Sequence, residues 1–278
     1  MASRETYREI ILLIATFLFI TVFAFMLARS MTISIPPSSQ HRWLSEKFLT
    51  STYNWEHKTL WAASPEVVTS ILWDYRGIDT VYETSVFFFA IIGGLMLVRT
   101  YKPSGKYPLH GMSVIAKTIT KIVLVAVPIV AISVALHGHL TPGGGFQGGS
   151  IFAVASLLAV VALGSGFLFR RGWSKSRLLG FRTLGLIIIS IVALTLPVMG
   201  WIQGVQTYII QNQEKPWAPM SFGYLLTIPG MGMILYSGTL IFLNLAEFLA
   251  VSAGLSLAFL IMSLPPREFK KSLEAGEK

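Results

Sequence analysis

The chain alternates between long apolar runs and shorter polar segments, and the lengths of the apolar runs define its class. Predominantly apolar runs fall at about residues 9–28, 78–98, 114–136, 150–169, 178–199 and 232–262. A transmembrane helix needs about 20 such residues to cross the hydrocarbon core. The pattern therefore predicts an all-α, polytopic membrane protein with about six transmembrane helices. The last run is the longest, so we expect it to tilt, to extend beyond the bilayer or to break near Gly238.

Composition agrees with this class and narrows the chemistry. Hydrophobic residues make up 53% of the chain and charged residues 13%, with a mean hydropathy of +0.65, whereas soluble domains carry about 25% charged residues. The absence of cysteine excludes disulfides and cysteine-ligated metal or iron–sulfur centres. No motif for nucleotide binding or nucleophilic catalysis is present. The sequence therefore predicts no enzymatic activity, no cofactor and no metal site of its own.

The distribution of basic residues predicts the orientation in the membrane. If the N-terminus is cytoplasmic, sixteen of the 22 basic residues, including Arg182, belong to the cytoplasmic side and six to the other. By the positive-inside rule, both termini of this multi-pass cell-membrane protein are predicted to be cytoplasmic. The net charge of +9 does not require a nucleic-acid partner, because the positive-inside rule and the attraction of basic loops to anionic lipids account for it. We expect the first run to be retained; a cleaved signal peptide is the alternative.

A glycine-rich segment, HGHLTPGGGFQGGS at 137–150, joins the third and fourth runs. It lacks the GxxxxGK[ST] spacing of a phosphate-binding loop. Glycine permits positive φ and close backbone approach, which favours a re-entrant or tightly packed bend that lines a cavity. A simple flexible turn is the alternative. The predicted structural bend comprises Pro142, Gly143, Gly144, Gly145, Phe146, Gln147, Gly148 and Gly149.

Ionisable side chains inside the apolar runs are the candidates for ion transfer, because a charge at the bilayer centre costs about 2.5–3.5 kcal/mol even on insertion scales. Asp79 and Glu83 lie four residues apart, on one helix face, and Arg76 is the expected partner of Asp79. Glu83 is then expected to face inward, toward His137. The ion-path candidates are Asp79, Glu83, Lys121, His137, Asn244 and Glu247.

Glu247 is predicted to lie near the bilayer midplane, with Asn244 one helical turn earlier. Two interpretations remain open: a protonated carboxyl that specifies helix packing, or a relay for protons or Na⁺. For Lys121 the alternatives are a snorkelling side chain and a buried coupling charge. A ridge of small residues suited to close helix packing runs along Ala246, Ala250, Gly254 and Ala258.

Two segments carry a family resemblance. HGHLTPGGGFQGGSIFAVASLLAVVALG resembles the signature of the MnhB/MrpB family, whose members are subunits of Mrp-type sodium/proton antiporters. DYRGIDTVYETSVFFFAIIGGLMLVR, at 74–99, is similar to the C-terminal part of the large antiporter subunit MrpA, an MbhE-like separate subunit in archaeal membrane-bound hydrogenases. In Mrp gene order this part precedes the B subunit. The resemblance implies a fusion of a two-helix region, 1–107, with an MnhB/MrpB-like four-helix domain, 108–278.

The resemblance implies a noncatalytic subunit of a cation (Na⁺)/proton antiporter module in an archaeal respiratory complex, such as a hydrogenase or sulfane sulfur reductase. Implied partners are other Mrp-type antiporter subunits, hydrogenase-like iron–sulfur subunits and membrane lipid, with Na⁺ and H⁺ as transported ions. In the matching MrpA segment a carboxylate follows the Asp-Thr pair, which implies a role for Glu83. The alternatives are a scaffold subunit without an ion path and an autonomous transporter, although no convincing internal repeat accompanies the latter.

Overall fold

Six helices in the described part of the chain are long and apolar enough to span a membrane. The computed structural model describes residues 4–29, 42–54, 56–57, 59–97, 112–230 and 232–263. This confirms the predicted all-α polytopic class, which the β-hairpin described below does not alter. The predicted domain boundary at 107/108 and the basic C-terminal tail lie outside the described residues. The cytoplasmic location of both termini stays a prediction.

Short helices and one β-hairpin connect the spanning helices. In chain order the elements are α1 (Arg4–Arg29), α2 (Trp43–Thr52), α3 (Val67–Ser70), a π-helical turn (Ile71–Tyr75), α4 (Gly77–Leu97), α5 (Val114–Leu136), α6 (Gly145–Leu163), α7 (Ser165–Arg170), α8 (Lys175–Gln203), β1 (Tyr224–Ile228), β2 (Gly232–Tyr236) and α9 (Thr239–Met262). The spans are α1, α4, α5, α6, α8 and α9. Strands β1 and β2 pair antiparallel, with Tyr224 opposite Tyr236.

The chain divides into two units, Met1–Lys47 and Phe48–Lys278. In the first unit, no residue of the span Ile10–Leu27 is buried. Phe19 and Phe23 stack along α1 with ring centres 6.2 Å apart. A helix that is apolar on all sides requires an apolar environment around it, supplied by lipid or by protein. Every candidate site residue belongs to the second unit.

Helix α9 is the central helix of the second unit. It packs against α6, α8, α5 and α4, and its side chains Leu240, Leu243, Ala250 and Leu257 are fully buried. A helix that is apolar around its whole circumference is typical of a span enclosed by other helices. Among the spans, α9 has the largest share of buried residues.

Three glycines change the predicted limits of the spans. Helix α6 begins at Gly145, earlier than the predicted start at 150. The predicted run 150–169 is interrupted at Gly164, whose φ of 87° ends α6 before α7 begins. The last predicted run, 232–262, breaks at Gly238, where φ is 61°. Of the three outcomes expected for that run, the break is the one observed, because β2 leaves the helical path to pair with β1.

The glycines of α6 let that helix lie close to two neighbours at once. A Cβ built on Gly148 would lie 2.7 Å from the carbonyl oxygen of Ala131 on α5. A Cβ built on Gly149 would lie 2.8 Å from Cβ of Val251 on α9. Both distances are shorter than a van der Waals contact, so only glycine fits without displacement of a neighbouring helix. The glycine-rich segment therefore serves helix packing as well as the bend.

A cluster of buried amides, Gln211, Asn212 and Gln213, ties together the loops at the α9 N-terminus. The side-chain Nδ2 of Asn212 donates to the Ala62 carbonyl at 3.1 Å. Its Oδ1 accepts from both the backbone N–H and the hydroxyl of Thr239, each at 2.9 Å. Buried polar groups are costly unless they are hydrogen-bonded. Sequence analysis did not single out this amide cluster, since three consecutive amides are also typical of an exposed loop.

Asp74, in the π-helical turn, is the acidic member of the same region. It is 4% exposed, and the backbone N–H of Asn212 donates to its Oδ1 at 3.1 Å. Burial raises the pKa of Asp74 from 3.8 to about 6, and the Asn212 hydrogen bond, the Lys215 charge and Gln213 oppose this rise. The carboxyl therefore binds its proton more tightly in the folded protein than in the unfolded chain.

Replacing Gly149 by Ala is expected to destabilise the protein by about 1–3 kcal/mol, because the added methyl group overpacks the α6–α9 interface. Gly94→Ala is the matched control, since no heavy atom lies within 4 Å of a Cβ built there. The measurement is the apparent melting temperature in mild detergent. Equal melting temperatures for the two variants would contradict the close packing of α6 on α9.

Asp74→Asn is expected to remove a specific pH dependence of stability. Because the folded-state pKa is raised, the stabilisation from Asp74 is complete below pH 3.8 and is lost as the pH rises through about 6. The loss amounts to at most about 3 kcal/mol. The variant keeps a carbonyl oxygen for the Asn212 N–H but does not titrate.

Thermal unfolding in detergent from pH 4 to 8 provides the measurement, with the exposed Glu56→Gln as control. The Asp74→Asn profile should be flatter than that of the wild type, whereas Glu56→Gln should keep the wild-type slope. An unchanged slope in Asp74→Asn would show that another group titrates.

Candidate functional site

A cavity of about 240 Å³ lies between α4, α6, α9 and the π-helical turn. It brings together residues that are far apart in sequence, among them Trp73, Glu83, Gly144, Gln147, Asn244 and Glu247. Three of the predicted ion-path candidates, Glu83, Asn244 and Glu247, thus share one cavity. We call it the carboxylate cavity.

Glu247 lies on α9 and points at the N-terminus of α6. It is 8% exposed, and its Oε2 accepts a hydrogen bond from the backbone N–H of Phe146 at 3.1 Å. The first amides of a helix have no partners within the helix, and the helix dipole favours negative charge there. Gly145 makes the approach possible, because a Cβ at that position would lie 2.7 Å from Cβ of Glu247. Glu247 therefore caps α6 from a different helix.

Asn244 presents an open hydrogen-bond donor. It is 1% exposed, and its Oδ1 accepts from the Trp73 indole N–H at 3.1 Å. This bond fixes the orientation of the amide, since the indole can only donate. In the part of the chain that the structure describes, its Nδ2 has no hydrogen-bond partner. A buried donor of this kind requires a water molecule or another acceptor.

Glu83 lines the carboxylate cavity from α4 and is itself exposed on the surface of the second unit. Asp79, one turn earlier, pairs with Arg76 in a salt bridge, as the sequence predicted. Both of those side chains are more than half exposed. Among the described residues Glu83 has no salt-bridge partner. Since Asp79 is paired with Arg76, Glu83 is the acidic residue of α4 that lines the cavity without a salt-bridge partner among the described residues.

His137 and Lys121 lie away from the carboxylate cavity. The ring Nδ1 of His137 is 2.9 Å from the Ser133 carbonyl oxygen, so this histidine caps the end of α5. His137 does not line the carboxylate cavity, and its expected approach to Glu83 stays a prediction. Lys121 is exposed and lines a separate groove that also contains Arg171. Of the candidates on α5, neither contributes to the cavity lining.

The predicted bend is shorter than expected. Of its eight residues, only Pro142, Gly143 and Gly144 belong to the non-helical connection between α5 and α6; the segment from Gly145 to Gly149 is helical. Gly143 and Gly144 have φ values of 150° and 130°, which residues other than glycine rarely adopt. Both glycines line the carboxylate cavity. Helix formation prevails in the second half because close contacts with α5 and α9 stabilise it there.

The small-residue ridge of α9 lies against α8, which carries a buried arginine. Ala246 and Ala250 are buried, and a Cβ on Gly185 of α8 would lie 2.9 Å from Cβ of Ala250. A Cβ on Gly254 would overlap the guanidinium of Arg182. The ridge member Ala258 is half-buried and packs against a cluster of buried apolar residues that includes Leu178 of α8 and Leu260 of α9.

Arg182 itself was assigned to the cytoplasmic side by the sequence, yet it is 0% exposed within the α8 span. Its guanidinium lies 4.5 Å from the ring centre of Phe87 and donates to the Ala250 carbonyl at 3.3 Å. Two of its nitrogens, Nε and Nη2, have no partner among the described residues. Cation–π contacts reduce the cost of such a buried charge. A ridge of small residues predicts helix packing only, so the burial of Arg182 against Gly254 was not expected.

Comparisons with solved structures show a shared fold. A chain of the membrane-bound sulfane sulfur reductase, an archaeal respiratory membrane complex, matches with a TM-score of 0.55 and 21% identity, over 90% of this chain and 97% of that one. A chain of the Mrp complex from Dietzia sp. DQ12-45-1b matches with a TM-score of 0.54 and 17% identity. That match covers 96% of this chain but 27% of the other.

Sequence comparisons supply the family. An uncharacterized protein of Methanocaldococcus jannaschii is 28% identical over 237 residues, 77% of this chain and 83% of the relative. Residues 115–257, just over half of the chain, match the family model described as a domain related to the MnhB subunit of Na⁺/H⁺ antiporter. These residues contain most of α5 and α9 and all of α6 and α8, including Asn244 and Glu247. The chain therefore belongs to the MnhB-related family of antiporter-type membrane subunits.

Proposed function

We propose that this protein is a noncatalytic subunit that carries part of the ion path in a Na⁺/H⁺ antiporter module of an archaeal respiratory complex. The observation that supports it best is that Glu247, 8% exposed on the central helix, and Glu83 line the same cavity. Carboxylates within membrane spans are costly and mark ion or proton pathways. The proposal assigns proton or Na⁺ transfer to the carboxylate cavity.

Glu247 has the chemistry of an exchangeable cation site. When it is ionised, the Phe146 amide and the positive end of α6 stabilise its charge. When a proton or Na⁺ neutralises the carboxylate, the energetic cost of burying its charge is removed. The open amide of Asn244 can hold a water molecule beside it. These partners make both states accessible without rearrangement of α9.

Glu83 supports transfer out of this chain and into a neighbouring subunit. It lines the carboxylate cavity and is also exposed on α4, so the path it would serve continues beyond this chain. A carboxylate at membrane depth faces protein or a water-filled cavity, not lipid. We propose that another Mrp-type antiporter subunit covers this face, and that hydrogenase-like iron–sulfur subunits of the same complex carry the redox chemistry.

The fused organisation supports the same assignment. The segment 74–99, similar to the MrpA C-terminus, supplies Glu83 on α4. The MnhB-related segment supplies Asn244 and Glu247 on α9. Helices α4 and α9 pack against each other within one unit. We propose that fusion of the two segments keeps Glu83 on α4 next to Asn244 and Glu247 on α9.

A structural scaffold is the second candidate, and one observation favours it. The Glu247–Phe146 hydrogen bond fixes α6 against α9 whether or not any ion moves. A neutral side chain that accepts the same hydrogen bond would then suffice. Glutamine is such a side chain, because its carbonyl oxygen accepts as a carboxylate does.

Glu247→Gln and Glu83→Gln are therefore expected to leave the complex assembled and to lower Na⁺/H⁺ exchange by roughly tenfold or more, since neither amide can bind and release a proton. Exchange is measured by a pH-sensitive dye in inverted membrane vesicles. The control is Glu56→Gln, at an exposed position outside the spans. Full exchange in both assembled variants would support the scaffold and contradict an ion path through this cavity.

A further inference from the structure

Two apolar grooves indent the second unit near the end where α5 begins and α6 ends. Groove A, of about 470 Å³, runs between α5 and α6. Groove B, of about 520 Å³, runs between α8 and α9. Phe152 and Trp173 line both grooves and stack with ring centres 6.2 Å apart and planes within 12° of parallel. This stacked pair therefore forms the wall between the two grooves.

Basic side chains frame both grooves. Lys121 lines groove A, Arg177 lines groove B, and Arg171 lines both. Neither lining contains an Asp or Glu. Arg177 donates to the Gly172 carbonyl at 2.9 Å and so fixes the loop that carries Arg171. Two grooves with apolar walls and cationic edges are thus complementary to a ligand with apolar chains and negative charge.

Arg171 and Lys121 are the charges available to such a ligand. Both are exposed, and within the described ranges neither belongs to a salt bridge. Lys121 lies seven residues after the first residue of α5, about 10 Å along the helix axis. An ammonium at that depth snorkels outward or pairs with an anion. Arg171 already lies 5.5 Å above the Phe167 ring, at the edge of groove A.

We infer that grooves A and B bind one anionic membrane lipid, with its phosphate between Arg171 and Lys121 and one chain in each groove. Basic pockets between transmembrane helices recognise anionic headgroups in this way. The Phe152–Trp173 wall separates the two chains, and Arg171, which lines both grooves, lies where the chains join the headgroup. This inference is independent of the ion path, and it gives Lys121 a role outside the carboxylate cavity.

The headgroup contact is tested on the assembled complex in mild detergent. The complex is incubated with phosphatidylglycerol or phosphatidylcholine vesicles, and bound lipid is counted by native mass spectrometry. Arg171→Gln and Lys121→Gln should each lower retained phosphatidylglycerol about fivefold. Their neighbours Arg170→Gln and Lys117→Gln, which do not line the grooves, should match the wild type. Equal retention of phosphatidylglycerol by all four variants would overturn the inference. Equal retention of phosphatidylglycerol and phosphatidylcholine by the wild type would also overturn it.

The chain contacts have their own test, which separates a lipid from free phosphate. Val125 is exposed and lines groove A; Val130, on the same helix, is also exposed but does not line either groove. Val125→Trp should obstruct groove A and lower phosphatidylglycerol retention, whereas Val130→Trp should not. Retention that is unaffected by Val125→Trp, or abolished by excess inorganic phosphate, would indicate a phosphate site without lipid chains and would overturn the inference.

Discussion

The hydrogen bond from the Phe146 amide to Glu247 is the contact on which the rest of this structure depends. It places a carboxylate of the central helix, only 8% exposed, against the positive end of α6, where electrostatic interactions are stronger than in bulk water. The contact requires glycine at 145, because any side chain there would collide with Glu247. The same glycine-rich turn supplies Gly144 to the cavity wall. One interaction thus determines the helix spacing, the bend and the site.

Around that contact the protein buries several polar groups, some with partners for every polar atom and some without. The amide cluster and Asp74 secure the loops beside the N-terminus of α9. Farther along α9, the guanidinium of Arg182 on α8 lies over the aromatic rings of Phe87 and Phe88. Between them lies the carboxylate cavity, where Asn244 retains an unused donor. Unsatisfied groups inside an otherwise well-packed bundle are typical of sites that exchange water or ions.

Sequence patterns predicted the spans and the two intramembrane carboxylates because apolar length and buried charge are local properties. They did not predict that Gly145 begins a helix, since this depends on contacts with α9. The expectation that Glu83 faces His137 came from their positions at the outer ends of two helices, which do not reveal that the His137 ring contacts the Ser133 carbonyl oxygen. Arg182 was counted as a cytoplasmic charge by a rule that does not consider burial, so the enclosure of its side chain by protein was not predicted.

Whether water reaches the carboxylate cavity in the assembled complex tests the central claim most directly. The chain has no cysteine, so a single cysteine at Gln147, which lines the cavity, can be labelled with a charged, membrane-impermeant thiosulfonate. The account predicts labelling of Gln147→Cys that Na⁺ slows, and no labelling of Ala153→Cys, which is 0% exposed and lines neither the cavity nor the two grooves. A Gln147→Cys complex that reacts only after denaturation would contradict a hydrated cation path at this site.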